Sequence, residues 1–237
     1  MPDPFLVLTT VRSGSTHLTR LLNAHPNVVC NGEVFNSSDP DYNWPGYPPT
    51  STEAMIQAAF VDYPARGGPK DDVHRVGCKL EDMSLFGEPT RLGKLLGLPG
   101  MRCLVLVRRN QFECFRSMLQ AWETDNWSLE AGADRTPLPA VTLPPPTAAA
   151  FFSRAQNFYG KLRLLIPPAQ ALWVDYDDLG ANQGPVLAQV WHHLGVPAHK
   201  VDASLSKLED RPLSETVANY EELQLLFEKS EYGGFLP

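Results

Sequence analysis

The sequence predicts an α/β fold, a doubly wound and mainly parallel sheet flanked by helices, and three observations carry that prediction. Short apolar, β-branched runs alternate with runs of helical period along the whole chain. One of them, RCLVLV at 102–107, is apolar at nearly every position, as a strand buried on both faces of a parallel sheet requires. A length of 237 residues with 43% hydrophobic content can fill one large core, so a single domain over 1–237 is expected.

The elements follow in order. A strand is expected at 5–10, entering a Gly/Ser loop, and then a helix whose apolar face carries Leu18, Leu21 and Leu22. A short strand at 28–30 ends at the turn signal Asn31-Gly32, with Glu33 just beyond it. Residues 39–49, rich in Pro, Gly and Tyr, read as a surface loop, and Thr50 with Glu53 at capping-box spacing announces a helix over 51–63. Further strands are expected at 73–80, 102–107 and 171–176, and further helices at 111–124, 147–166, 183–194 and 213–228. In the third of these helices Val186, Leu187, Val190, Trp191 and Leu194 form one face. The prolines of TPLPAVTLPPP, 136–146, exclude regular structure there, and the segment reads as an ordered loop.

Composition narrows the function. A formal net charge of −7 argues against a nucleic-acid partner and confines any anion site to a local basic pocket. The N-terminus has no basic segment followed by an apolar one, and no apolar run approaches the roughly 20 residues that span a bilayer, so a cytoplasmic protein without a membrane span is expected. Cys30, Cys78, Cys103 and Cys114 lack CxxC spacing and read as reduced, mostly buried thiols; zinc is not expected. Nothing in the sequence sets the oligomeric state.

The stretch FLVLTTVRSGSTHL has the form strand, loop, helix. Laid on the phosphate-loop pattern GxxxxGK[ST], its Gly14, Ser15 and Thr16 take the last three places and Thr9 replaces the first glycine. The lysine is missing too. What remains suits a phosphate: Gly14 permits close backbone approach, Ser13, Ser15 and Thr16 offer hydroxyls, the helix N-terminus offers N–H groups, and Arg12 supplies charge. Such a P-loop-like site favours a nucleotide donor used without metal over ATP hydrolysis. RSGST alone also reads as an ordinary polar turn with a good helix cap. A second stretch, LVLVRRNQFECFRSML, puts Arg109 at the end of a buried strand and Ser117 eight residues later, roughly two helical turns on, where both can meet one ligand.

These residues together resemble the sulfotransferases that use 3′-phosphoadenosine 5′-phosphosulfate (PAPS). RSGST is similar to that family's 5′-phosphosulfate loop, and Arg109 with Ser117 matches its 3′-phosphate pair. HPNVVCNGE at 25–33 looks like the bacterial carbohydrate-type branch, which includes the nodulation-factor sulfotransferases; WVDYDDL, HHLGVP, NYEEL and the ending EYGGFLP continue the likeness. The chain lacks the PKSGTTW and RKGxxGxWK forms of the aryl and steroid branch. Lys207, in SLSK, is the basic residue in a place comparable to that branch's adenosine cap, although a solvated surface lysine is the favoured reading of it. Arg108 and Arg116 flank the matched pair and could compete for its role or face solvent.

The resemblance implies transfer of the sulfuryl group of PAPS to a hydroxyl or amine of a carbohydrate-containing or other small-molecule acceptor, with release of adenosine 3′,5′-bisphosphate and no metal. Glu33 is the candidate general base, because it follows a strand end on the edge where open parallel sheets bind ligands, and the family points to the same residue. An exposed loop carboxylate is the alternative. His17, directly after the anion loop, is its rival as base, while His25, His192 and His193 read as structural or surface residues. Lys79 ends a strand on what could be the same edge and is a candidate for contact with substrate or sulfate, or a solvated lysine. Tyr42, Trp44 and Tyr47 could stack on a sugar or aryl acceptor, or on each other. Asp175, Asp177 and Asp178 read as caps and solvated charge in preference to a metal site. Two other readings stay open, a P-loop small-molecule kinase and a non-catalytic nucleotide-binding protein of the same fold.

Overall fold

The computed structural model describes residues 1–33, 51–62, 70–82, 90–127, 137–201 and 209–236. Five strands, β1 (Asp3–Thr9), β2 (Val28–Glu33), β3 (Arg75–Glu81), β4 (Arg102–Val107) and β5 (Ala171–Asp175), form one sheet in the order β2-β3-β1-β4-β5. All four neighbouring pairs are parallel. The chain leaves β1 toward β2 on one side and later adds β4 and β5 on the other, so a topological switch point lies beside β1, where such sheets open a crevice beyond their strand C-termini.

The helices are α1 (Ser15–Ala24), α2 (Thr52–Ile56), α3 (Arg91–Leu96), α4 (Gln111–Thr124), α5 (Pro145–Leu165), α6 (Tyr176–Ala181), α7 (Gln183–Leu194), α8 (Leu213–Thr216) and α9 (Tyr220–Phe227). Residues group into two compact units, 1–107 with 160–203, and 108–159 with 204–237. The first holds the sheet. Its core joins Phe5 and Val7 of β1, Leu18, Leu21 and Leu22 of α1, Leu104 and Leu106 of β4, and Leu187, Val190, Trp191 and Leu194 of α7. Each fully buried side chain of this kind contributes roughly 1.5–3 kcal/mol. Gly77 of β3 is part of this packing, because a Cβ there would come within 2.6 Å of the Phe5 ring. The second unit packs Phe112, Phe115, Phe152, Val217 and Leu223, with the Phe112 and Phe152 rings edge to face at 4.7 Å.

Several local expectations are corrected. Asn31-Gly32 is no turn: β2 continues through it to Glu33, and the register with β3 shifts between Asn31 and Glu33, so the Asn-Gly pair serves a bulge. The cap of α2 is Ser51, whose hydroxyl accepts from the Ala54 N–H, and the helix passes into a π-turn at Gln57–Val61. Pro145 and Pro146 open α5, since the first helical turn needs no N–H donor there. The expected last helix is two, α8 and α9, interrupted where Val217 pairs with Val141. Helices α3 and α6 were not foreseen.

Candidate active site

Beyond β1 the backbone turns sharply. Arg12 has φ 58° and Gly14 φ 87°, a left-handed conformation that costs a residue with a Cβ about 1–2 kcal/mol. Gly14 caps α1 without a side chain, so nothing on the cap residue accepts from the first-turn N–H groups, and the positive end of the helix dipole faces outward. The Tyr176 ring, at the start of α6, lies against Gly14; a Cβ there would sit 2.1 Å from the ring. Ser13 is fully buried, and its hydroxyl bonds to that of Thr9. The Thr9 hydroxyl also lies within donating distance of the Leu106 carbonyl, at 3.2 Å. Thr9, which stands where a nucleoside-triphosphatase loop has its first glycine, thus ties the loop to β4. The Ser13 hydroxyl points inward, and Ser15 is buried while Arg12 and Thr16 are half-buried.

Beside this loop lies a buried charge cluster. Lys79 is 2% exposed. Its ammonium group pairs with Glu33 Oε1 at 2.9 Å and reaches Thr16 Oγ1, in the first turn of α1, at 3.5 Å. The strand register explains the meeting: Lys79 stands opposite both Val7 and Glu33, on the sheet face that α1 covers. Neither residue is a solvated surface charge. The sequence reading missed Glu81, two residues after Lys79 and therefore on the same face. Its carboxyl is hydrogen-bonded to Glu33 and is pushed up to about 8, first by burial and then by the Glu33 charge, with Lys79 opposing. The period-two spacing in KLE was the signal available for it.

Other candidates separate. His17 lies in the first turn of α1, where burial lowers its pKa and keeps the ring neutral. His25 is structural: Nδ1 accepts from the Asn27 N–H at 3.1 Å and Nε2 donates to the Pro197 carbonyl at 2.8 Å, beside the Trp191 ring. Burial also lowers the His193 pKa. Asp175 caps α6, accepting from the Asp177 and Asp178 N–H groups. Among the described residues no group of three or more His, Cys, Asp or Glu is gathered as metal ligands would be.

In the second unit Arg109 is exposed ahead of α4, and Ser117 is half-buried on that helix. Arg116 is 2% exposed and bonds Glu113, the Thr216 hydroxyl at 3.1 Å and the Arg211 carbonyl, while Arg108 also reaches Glu113. These two arginines are committed to the protein. Tyr42, Trp44, Tyr47 and Lys207 lie outside the described residues.

No family model matches the sequence. The chain is 33% identical to nodulation protein H of Rhizobium meliloti strain 1021, over 99% of this chain and 95% of that protein. It is equally similar to nodulation protein H of Rhizobium tropici, at 33% over 99% of this chain and 93% of the relative. Among solved structures, a sulfotransferase from Alicyclobacillus acidocaldarius matches with a TM-score of 0.53 and 16% identity, covering 96% of this chain and 91% of that one. A sulfotransferase domain from the curacin biosynthetic pathway matches with a TM-score of 0.51 and 17% identity, covering 88% and 81%. The two structures share the fold.

Proposed function

The chain belongs to the PAPS-dependent sulfotransferase family, in the branch of nodulation protein H, and on that premise we propose that it transfers the sulfuryl group of PAPS to a hydroxyl or amine of a carbohydrate-containing or other small-molecule acceptor. That it is a sulfotransferase follows from its relatives; the donor, the acceptor class and the residue roles are this proposal. One observation carries it: Lys79 joins the Glu33 carboxylate to Thr16 of the anion loop, so a candidate base and a candidate anion site form one connected cluster.

The donor supplies a sulfuryl group on a good leaving phosphate. Arg12 and the N–H groups of residues 13–16 hold the 5′ end and stabilise charge as it builds on the bridging and equatorial oxygens. The Gly14 cap suits this, since it leaves those N–H groups to a ligand. Ser15 and Thr16 assist with hydroxyls, and Ser13 through its backbone. Arg109 and Ser117 hold the 3′-phosphate. The acceptor oxygen forms its bond to sulfur as the bond from sulfur to the 5′-phosphate oxygen breaks, and its proton passes to Glu33. Lys79 orients Glu33 and adds positive charge beside the transferring group. His17, neutral and next to the loop, is the second candidate base. Lys207 as adenosine cap, and Tyr42 and Trp44 as acceptor contacts, complete the proposal from sequence alone. All of 1–237 then serves as one catalytic domain. Among the described residues no helix is long and apolar enough to cross a membrane, and the four cysteines are free and buried, which supports a reducing, cytoplasmic setting.

Calorimetric titration tests the donor assignment. Adenosine 3′,5′-bisphosphate should bind the wild type and lose at least about tenfold in affinity in Arg109→Ala, the scale of one charge-assisted contact to phosphate. Preference for ATP with Mg²⁺ would instead favour a small-molecule kinase.

A further inference from the structure

We propose that Glu81 is a positioning residue for Glu33: its neutral carboxyl donates a hydrogen bond to the Glu33 carboxylate and, together with Lys79, holds that carboxylate for proton abstraction. The inference rests on the reading of Glu33 as the base.

Strand register places the three groups. Lys79 and Glu81 are two apart in β3 and project to one face. Lys79 stands opposite Glu33 of β2, and Glu81 stands opposite Thr9 of β1. The first turn of α1 closes over them through Thr16. Among the described residues the charged groups facing Glu81 are Glu33 from β2, Lys79 from its own strand and Asp82 next along the chain; β1 presents the uncharged Thr9. Glu33 is 14% exposed and Lys79 2% exposed, and two carboxyls adjoining in such a buried place disfavour ionisation of both. Burial and the Glu33 charge raise Glu81 to about 8, which assigns the proton to Glu81 at neutral pH. A protonated carboxyl is a donor, whereas the ionised partner only accepts.

This arrangement is suited to a base. An ionised carboxylate has about four lone-pair sites. Lys79 and Glu81 use two of those on Glu33 and restrict its rotation, leaving others for the acceptor O–H. Above the Glu81 pKa the donor is lost and a second negative charge appears beside the base. Proton abstraction then fails through misplacement of Glu33, although Glu33 itself is unchanged.

The test compares kcat from pH 6 to pH 9.5 for wild type, Glu81→Gln and Glu81→Ala, with bisphosphate binding measured in parallel. Glu81→Ala should lower kcat at pH 7 by about tenfold, the scale of one hydrogen bond to a charged group, with bisphosphate affinity unchanged. Glu81→Gln keeps an N–H donor that cannot ionise, so it should recover most of that loss. It should also remove the decline that wild type shows above a pH of about 8. An alkaline decline in Glu81→Gln matching that of wild type would overturn the proposal, as would a wild-type kcat and profile in Glu81→Ala. If Glu81→Ala does not fold, the Glu81→Gln profile alone decides. Full activity in Glu33→Gln would sink the base assignment itself, whatever the Glu81 variants do.

Discussion

Two buried charge clusters in this chain contain similar residues and do different things. In the first unit, Lys79 pairs with Glu33 beside Glu81, whose carboxyl burial and the Glu33 charge push up to about 8. In the second, Arg108 and Arg116 serve one carboxylate, Glu113, and the further donors of Arg116 go to the Thr216 hydroxyl and the Arg211 carbonyl. In the arginine cluster the guanidiniums are held by Glu113 and by neutral oxygens of the second unit. In the lysine cluster burial and the Glu33 charge push the Glu81 carboxyl up to about 8, and the cluster lies against the anion loop. A buried carboxyl pushed toward neutral pH marks the candidate chemical site, whereas ion pairs held by structural oxygens mark the scaffold.

The largest effect expected from this contrast is on turnover. Glu33→Gln removes the proton acceptor while keeping shape, and kcat should fall by about 10²–10⁴, the range of general-base catalysis. Binding of adenosine 3′,5′-bisphosphate should persist, as calorimetry would show. A variant with normal kcat would transfer the base role to His17, and His17→Asn would then carry the loss.

Next comes stability in the arginine cluster. Arg116→Ala removes the buried ion pair with Glu113 and the bond to the Thr216 hydroxyl, and empties the volume of the side chain. Breaking a buried pair from one side costs about 3–5 kcal/mol, read as a lower midpoint in urea. That loss should be nearly constant from pH 6 to pH 9, since the guanidinium that is removed stays charged across the interval. A cost that changed markedly across the interval would mean that the two clusters are not different in kind.

Lys79→Met sharpens the comparison from the other side. The thioether fills the aliphatic volume, but Glu33 and Glu81 lose their cation. The cost at pH 7 should be smaller, about 1–3 kcal/mol, because one ion pair is lost and the volume is kept. It should shrink at lower pH, where protonation of a carboxyl offsets the lost cation. Activity at pH 7 should drop with it. An equal cost at pH 5 and pH 8 would show that Lys79 acts by packing alone.

The anion loop offers a smaller, geometric test. Gly14→Ala forces a Cβ onto φ 87° and into the Tyr176 ring, for a cost of about 1–2 kcal/mol from the backbone alone, visible as a lower midpoint and weaker bisphosphate binding. Unchanged binding would mean that the loop tolerates displacement of α1 or Tyr176.

How much of this was legible in the sequence follows from how local each signal is. The apolar period gave β4, α4 and α7 to the residue, because burial on a regular element repeats at short range. It missed the bulge at Asn31, where a strong turn dipeptide was overridden by pairing with β3. It also missed the break at Val217, which pairs with a residue 76 positions away. At the site, Glu33, Lys79 and Thr16 were each named from the sequence, yet their contact depends on the register of β2 on β3 and on α1 lying over that face. Glu81 was invisible as chemistry for the same reason. A glutamate at a strand end is ordinary until Glu33 is opposite its neighbour.

The remaining test is the pH dependence of wild-type stability, and its sign discriminates. Glu81 has an ordinary value of 4.5 in the unfolded chain and about 8 in the folded one. Below the lower value both states hold the proton. Between the two values the folded state holds it and the unfolded state has released it, so the folded state binds more protons and stability falls as pH rises, until Glu81 ionises in both states. Urea midpoints at pH 5, 6.5 and 8 should therefore decline in that order for wild type, and decline less for Glu81→Gln, which carries no proton to lose. The comparison between the two proteins cancels the other carboxylates, whose contributions they share. A slope of the same size in both would place the proton elsewhere in the cluster, on Glu33, and would make Lys79 the partner of an ionised Glu81.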